Sequence, residues 1–444
     1  MSLEQLTYRK FAWKQFKKNK PGLFSFYVLI ILVFIALFSP FLANDQPLYI
    51  KYHGESFYPA FSTLINETAS DKVVNKSNGD TIKFTYCDVD WRRVDLESIW
   101  WPLIAYSPNK IDNYNRDYTG PNSTQRLLDS SGKVVNLPRR IRHVLGTDKL
   151  GRDVASGLIH GTRISLTVGL ISMLIATIIG LLLGSFAGFY GDYGIKLTRL
   201  QFWLGWVGII LGYFYGFYVR KSIIIDALEQ GAFYGAMQIV LGLLILILLT
   251  LLLSKLGKLL SIGNFLKSEV DFPIDSYVNR AIEILNSIPV LILIISLSSL
   301  MSGGSIGMLI LIIGITGWTG VARLIRAEML KIRQLEYVQA AKTLGFSDLR
   351  IIIKHALPNG IAPVFVTFAF GVASAILTES GLSFLGIGVP PDTITWGSLL
   401  SAGRSEFEAW WMVIYPGLAI FITITVFNLM GEGLRDALDP KHEK

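Results

Sequence analysis

The apolar residues of this 444-residue chain gather into blocks of about 20, and this constrains the fold more than any other feature. Twenty residues is the length an α-helix needs to cross a hydrocarbon core ~30 Å thick. Backbone polar groups in lipid can be satisfied only internally, so such blocks are forced into helices. Eight spans are expected, near 23–42, 162–189, 202–219, 232–253, 276–300, 306–325, 361–382 and 411–430. Only 17% of residues are charged while 51% are hydrophobic, too little charge to cover a soluble domain of this size. The pattern is that of an all-α polytopic membrane protein set in a lipid bilayer.

The net charge of +8 is explained by its placement. Arg9, Lys10, Lys14, Lys17, Lys18 and Lys20 precede the first block. Arg323, Arg326, Lys331, Arg333, Lys342, Arg350 and Lys354 lie around the polar stretch between two later blocks. Basic residues favour the cytoplasmic side, so both groups are expected there, and no nucleic acid is implied. An even number of spans then puts the N- and C-termini together in the cytoplasm. The first block is too long for a signal-peptide core and no small-residue cleavage site follows it, so it reads as a retained anchor. The single cysteine, Cys87, can form no internal disulfide.

Between the first two blocks the chain turns polar and aromatic. Residues 81–86 alternate as a strand does, and Asn78-Gly79, Ser107-Pro108 and Gly120-Pro121 signal turns. A turn is also expected at Ser302-Gly303-Gly304-Ser305. Two glycine stripes, Gly180-Gly184-Gly188 and Gly208-Gly212-Gly216, recur once per helical turn and are expected to let helix backbones approach closely. His143, His160 and His355 show no metal-ligand spacing, so no metal site is expected. Neither a serine-nucleophile elbow nor an H-E-x-x-H pair is expected, which argues against an intramembrane hydrolase.

The polar stretch 336–358, EYVQAAKTLGFSDLRIIIKHALP, carries the most information. Tyr337, Ala341 and Leu344 recur at helical spacing and predict a short amphipathic helix. Gly345 permits a sharp reversal that a residue with a Cβ resists. Ser347 is a good N-cap for a second helix, with Asp348 in its first turn. That helix is expected to turn Leu349, Ile352, Ile353 and Ala356 to one side, and Pro358 to open the next element. Two short helices joined at an angle form a protrusion that another protein can grip.

The sequence Ala340-Ala341, Gly345, Leu357-Pro358 resembles the "EAA" signature of ABC importer permeases, with Gln339 where the signature has Glu, Glu336 nearby, and His355 where Ile is usual. Leu145-Gly146-Thr147-Asp148 through Gly151-Arg152-Asp153 resembles one subfamily, the second permease of oligopeptide, dipeptide and nickel importers. So do Thr162–Leu166, Glu379–Gly386, Trp396-Gly397, Pro416-Gly417, Phe427–Leu429 and Gly433–Pro440. The resemblance spans about 9–43, 143–191 and 272–441, and leaves out 44–142 and 192–271.

The resemblance implies a six-helix importer permease core with an inserted helix pair and an external insert containing some β-structure. Its divisions are a basic cytoplasmic tail (1–22), a first transmembrane helix (23–43), and a periplasmic insert (44–142). A motif plus second span (143–191), the extra helix pair (192–271) and the core (272–444) with its coupling segment (327–360) follow. It implies a subunit of the bacterial inner membrane forming half of the pathway for short peptides. Nickel or a modified peptide are alternative cargoes, and an anchored protein working through its insert is a reading of another class. The chain has no G-x-x-x-x-G-K-[ST] loop and is not expected to be an enzyme or to hold a cofactor. ATP and Mg would bind partner ATPase subunits. A second permease and an extracytoplasmic substrate-binding protein complete the implied partners.

By the same resemblance, Glu336, Gln339, Ala340, Ala341, Gly345, Leu357 and Pro358 couple to the ATPase. Glu379, near the outer end of the seventh expected span, is a candidate for the pathway or its outer gate. Asp148, Arg152 and Asp153 are candidates for contact with the binding protein, the plainer alternative being a helix start and interfacial anchor. Glu283 is expected to be solvated or paired with Arg280.

Overall fold

The computed structural model describes residues 8–438 apart from 53, 67, 75–80, 93, 95, 129–132, 231, 263, 301–304 and 391. The expected turns at Asn78-Gly79 and Ser302-Gly303-Gly304 lie outside the described residues.

A short helix α1 (Tyr8–Phe16) leads into α2 (Lys20–Leu42). Asn19 starts α2: its Oδ1 accepts from the Gly22 amide at 2.8 Å, and Pro21 sits where a missing N–H costs nothing. The chain then enters the insert. Here β1 (Tyr49–Tyr52) pairs antiparallel with β2 (Glu55–Phe57), followed by α3 (Pro59–Ile65) and a hairpin of β3 (Ser70–Val74) with β4 (Thr81–Thr85). β5 (Ser98–Trp100) returns to the free edge of β1, and β6 (Arg126–Leu128) pairs with β7 (Val134–Asn136). Ile50, Phe57, Tyr86 and Trp91 close one small core; Ala105, Leu127, Leu137 and Ile141 close another. The insert therefore has an interior of its own.

Helix α4 (Val154–Tyr190) has 37 residues and is about 55 Å long at the usual rise per residue, well beyond a bilayer core. It begins at 154 rather than the expected 162 because Asp153 caps it, accepting from the Ser156 amide at 2.6 Å. After β8 (Lys196–Thr198) comes α5 (Arg199–Tyr213), extended by a π turn at Phe214–Tyr218, then α6 (Lys221–Gln230) and α7 (Ala232–Leu259). Beyond α8 (Asn264–Lys267), β9 (Glu269–Asp271) pairs antiparallel with β8, with Thr198 opposite Glu269. The helix pair thus leaves and rejoins the chain at one point.

The single span expected over 276–300 is broken. α9 (Ile274–Ser287) and α10 (Val290–Leu300) meet at 84°. Pro289 has no N–H to continue the ladder and drives Ile288 to φ −101°, ψ 129°, outside the helical region. α11 (Ile306–Ile332) packs along α4. Gly180, Gly184 and Gly188 face Val321, Ala322, Ile325, Arg326 and Met329, and a Cβ on Gly184 would collide with the Ala322 carbonyl. α5 meets α7 in the same way: a Cβ on Gly212 would lie 2.7 Å from the Leu246 Cα.

The chain ends with α12 (Glu336–Thr343), α13 (Asp348–Ile351), α14 (Leu357–Gly360), α15 (Ala362–Phe384), α16 (Trp396–Gly403) and α17 (Trp411–Leu438). The main core lies between α2, α4, α9, α11, α15 and α17. Among the described residues seven helices are long and apolar enough to cross a membrane, and the bent α9–α10 pair makes eight if taken as one span. Three contacts fix the two faces of the bundle. His160 Nε2 lies 2.9 Å from the Ala43 carbonyl, joining the start of α4 to the end of α2. The Lys342 ammonium stands 4.8 Å over the Phe189 ring at the far end of α4, and Asn19 Nδ2 donates to Asp436 Oδ2 at 2.7 Å. The insert therefore occupies one face, and α1, α12 and the end of α17 the other.

Candidate functional site

The elbow formed by residues 333–361 projects from the face opposite the insert. Arg333 ends α11, and the Gln339 side-chain amide donates to the Arg333 carbonyl at 2.7 Å, setting the angle at which α12 departs. Gly345 then reverses the chain at φ +80°. A Cβ there would meet nothing within 4 Å, so the requirement is backbone conformation rather than space. Ser347 has the cap backbone, but its hydroxyl makes no capping bond.

The inward faces of the elbow differ from those expected. Val338 and Ala341 point into the core from α12, while Tyr337 and Leu344 are exposed. From the second arm Ile351, Ile352 and Ala356 turn inward, whereas Leu349 and Ile353 are exposed. A π turn at Ile352–Ala356 fits an extra residue into the second arm and rotates the face that follows it. Glu336, Gln339 and Ala340 lie exposed on α12; Leu357 and Pro358 open α14, with Pro358 exposed. Asn359 Nδ2 donates to the Tyr337 hydroxyl at 3.2 Å and braces the two arms. The elbow is internally tied, yet leaves Tyr337, Ala340, Leu344, Phe346, Leu349 and Ile353 uncovered.

On the other face, Asp148 accepts from Arg152 Nε at 2.6 Å and from the Leu150 and Arg152 amides at 2.9 and 2.8 Å, closing a tight loop. Asp153 caps α4 and also meets His143 Nδ1 at 2.9 Å. His143 Nε2 lies 3.2 Å from Asp112 Oδ2, and the ring stacks on Tyr106 at 3.9 Å. Sequence reading missed this cluster, since Asp112 stands 31 residues before His143 on an irregular loop. Its only signal was His143 directly preceding the 145–153 motif. Insert and bundle are further joined by Trp411 Nε1 donating to the Thr147 carbonyl at 3.1 Å and the Tyr118 hydroxyl donating to the Ala402 carbonyl at 3.2 Å.

Glu379 is fully enclosed. Ser165 of α4 donates to it at 3.1 Å, and Ser383 and Ser380 of its own helix at 2.7 and 3.4 Å. In this conformation the carboxylate pins α15 to α4 and faces no open path. Glu283 pairs with Arg280 at 2.9 Å, as expected. The string 303–307 spells G-x-S-x-G; Ser305 is the N-cap of α11, and Gly303 and Gly304 lie outside the described residues.

Residues 260–444 match the family model described as "binding-protein-dependent transport system inner membrane component", and 7–58 match the N-terminal TM domain of oligopeptide transport permease C. A dipeptide transport system permease of Bacillus subtilis is 32% identical over 321 residues, 72% of this chain and 75% of that protein. The chain belongs to this permease family. It is an ABC importer permease subunit, a non-catalytic, multi-pass inner-membrane protein whose ATP is bound by a separate ATPase. Two further permeases match over nearly their whole length. The inner membrane ABC transporter permease YejE of Escherichia coli is 26% identical over 96% of both chains. The peptidoglycan transport system permease YejE of Agrobacterium fabrum is 25% identical over 97% of this chain and 93% of its own.

Proposed function

We propose that this permease forms half of the pathway that carries short peptides across the inner membrane, with peptides released from peptidoglycan as the narrower cargo. The observation that carries the reading is the elbow: a braced, two-armed protrusion with an uncovered apolar surface on the face where the basic residues gather. Exposed apolar groups so grouped mark a protein contact. A partner ATPase gripping Tyr337, Ala340, Leu344 and Leu349 would pull on α11 and α15 together, because the elbow joins them. Glu336, Gln339, Ala341, Gly345, Leu357 and Pro358 shape that surface. The face bearing α1 and both termini is cytoplasmic in this reading. The insert then stands outside, covering the start of α4 and α16, where an extracytoplasmic binding protein would deliver cargo beside Arg152, whose loop the buried Asp148 closes. A second permease supplies the other half.

The cargo reading is supported by relatives named for dipeptide and peptidoglycan transport, the latter matching across the insert and the helix pair as well. The test is uptake of a labelled tripeptide and of a labelled cell-wall tripeptide in cells lacking the chromosomal copy. Leu344 is 74% exposed, so Leu344→Asp leaves folding intact. It is expected to cut uptake at least about tenfold and to lose the ATPase on co-purification, the loss of roughly 1.4 kcal/mol or more of contact energy. Normal uptake by Leu344→Asp, or no uptake of either peptide by the wild type, would sink the proposal.

A further inference from the structure

His143 is completely buried where the insert meets α4, and its hydrogen bonds fix its charge. Asp153 also accepts from the Ser156 amide at the positive end of α4. Asp112 accepts from the Tyr114 amide at 3.0 Å and from Asn115 Nδ2 at 2.8 Å. Both carboxylates are thereby held as acceptors, so each ring nitrogen of His143 must donate, which only the imidazolium does. Neither nitrogen keeps a lone pair for a metal, and no group among the described residues is arranged to hold one. Tyr106 covers the ring, and the Arg92 guanidinium, paired with Asp90, lies 4.8 Å over the Tyr106 ring. Asp112 and Asp153 are the charged groups that act on the imidazole.

We propose that His143 is a positioning residue for transport: its imidazolium rivets the insert, through Asp112, to the N-terminus of α4, through Asp153, and its deprotonation as pH rises releases the insert. This rests on the insert lying outside the membrane, as in the proposed function. Burial opposes the charge on His143, but hydrogen bonds and attraction from Asp112 and Asp153 outweigh it and hold the ring above its ordinary 6.5. Burial likewise works against the Asp112 charge, yet His143, Asn115 and Tyr114 hold it below its ordinary 3.8. A raised histidine contributes fully below 6.5 and loses its contribution as pH climbs through the raised value. A lowered aspartate contributes above 3.8 and fails as pH falls through its lowered value. The rivet is therefore whole between pH 3.8 and 6.5 and opens as pH rises through the raised value of His143.

Hydrogen exchange on the full-length purified permease, corrected for intrinsic rates and run from about pH 6 to about pH 9.5, tests this. Protection of 106–118 and 143–158 is expected to drop about tenfold across the His143 transition while α11 stays unchanged. Asp112→Asn removes one carboxylate and should move the transition down by about one pH unit or more. His143→Gln should give low protection at every pH. The wild-type series requires no variant to fold, and a flat series overturns the rivet. Peptide uptake should share the falling high-pH limb and lose it in His143→Gln. A rivet that opens while uptake stays level overturns the positioning role. Failure of the transport reading would show separately, as absent uptake at about pH 6, where the rivet is closed.

Discussion

Helices α4 and α11 on one side, and α5 and α7 on the other, carry the same kind of sequence and meet different fates. Each pair holds a glycine stripe and an apolar run long enough to cross a membrane. Yet 61% of the apolar stretch of α11 is buried within the protein, against 6% for α7. Hydropathy reports that a helix can enter lipid and says nothing of its neighbours, because lipid tails and leucine are equally good surroundings for a leucine. What separates the pairs is connection. α4 and α11 contact α15, α9 and the elbow, whereas α5 and α7 chiefly contact each other and return to the chain through the β8–β9 clamp.

The comparison can be broken most severely at Gly184. Gly184→Leu drives a side chain into the Ala322 backbone in the centre of the bundle. It is expected to cost about 3 kcal/mol or more and to abolish uptake, read as loss of a monodisperse species in detergent. Gly212→Leu makes the equivalent insult in the peripheral pair. It should cost about 1–2 kcal/mol, with crosslinking between α5 and α7 lost and uptake largely kept. If the two glycine variants prove equally damaging to transport, the distinction between centre and periphery fails. Joining Thr198 to Glu269 through a two-residue turn removes the pair altogether, and those residues already face each other across β8 and β9. Uptake within about twofold of wild type is expected, since the deletion leaves the central interfaces intact. Smallest of all is Lys196→Met. The Lys196–Glu269 ion pair at 3.4 Å is more than half exposed at both ends, and its loss should change thermal stability by less than about 0.5 kcal/mol.

Much of the architecture was legible because long apolar runs admit one solution in lipid. The start of α4 was only half legible: Asp153 is a candidate helix start, yet the apolar run alone places the helix eight residues too late. Other features depended on relations a linear reading cannot supply. Pro289 was visible, but whether it kinks a helix or splits one depends on what its neighbours offer the freed carbonyls, and here the halves turn 84° apart. Along the second arm of the elbow a π turn at Ile352–Ala356 changes the period midway, and no residue type announces it. Glu379 stood out as an acid in an apolar run, but its partner Ser165 lies 214 positions away. The His143 cluster joins three irregular segments, where neither periodicity nor spacing constrains who meets whom.

The unbroken length of α4 has a mechanical corollary. One end, at Asp153, is fixed to the insert, and the other, at Phe189, sits beneath Lys342 of the elbow. A stiff rod of about 55 Å tilted by about 5° carries its tips about 5 Å apart from their starting line. A rocking of the elbow that tilts α4 is thus carried along the rod to the opposite membrane surface.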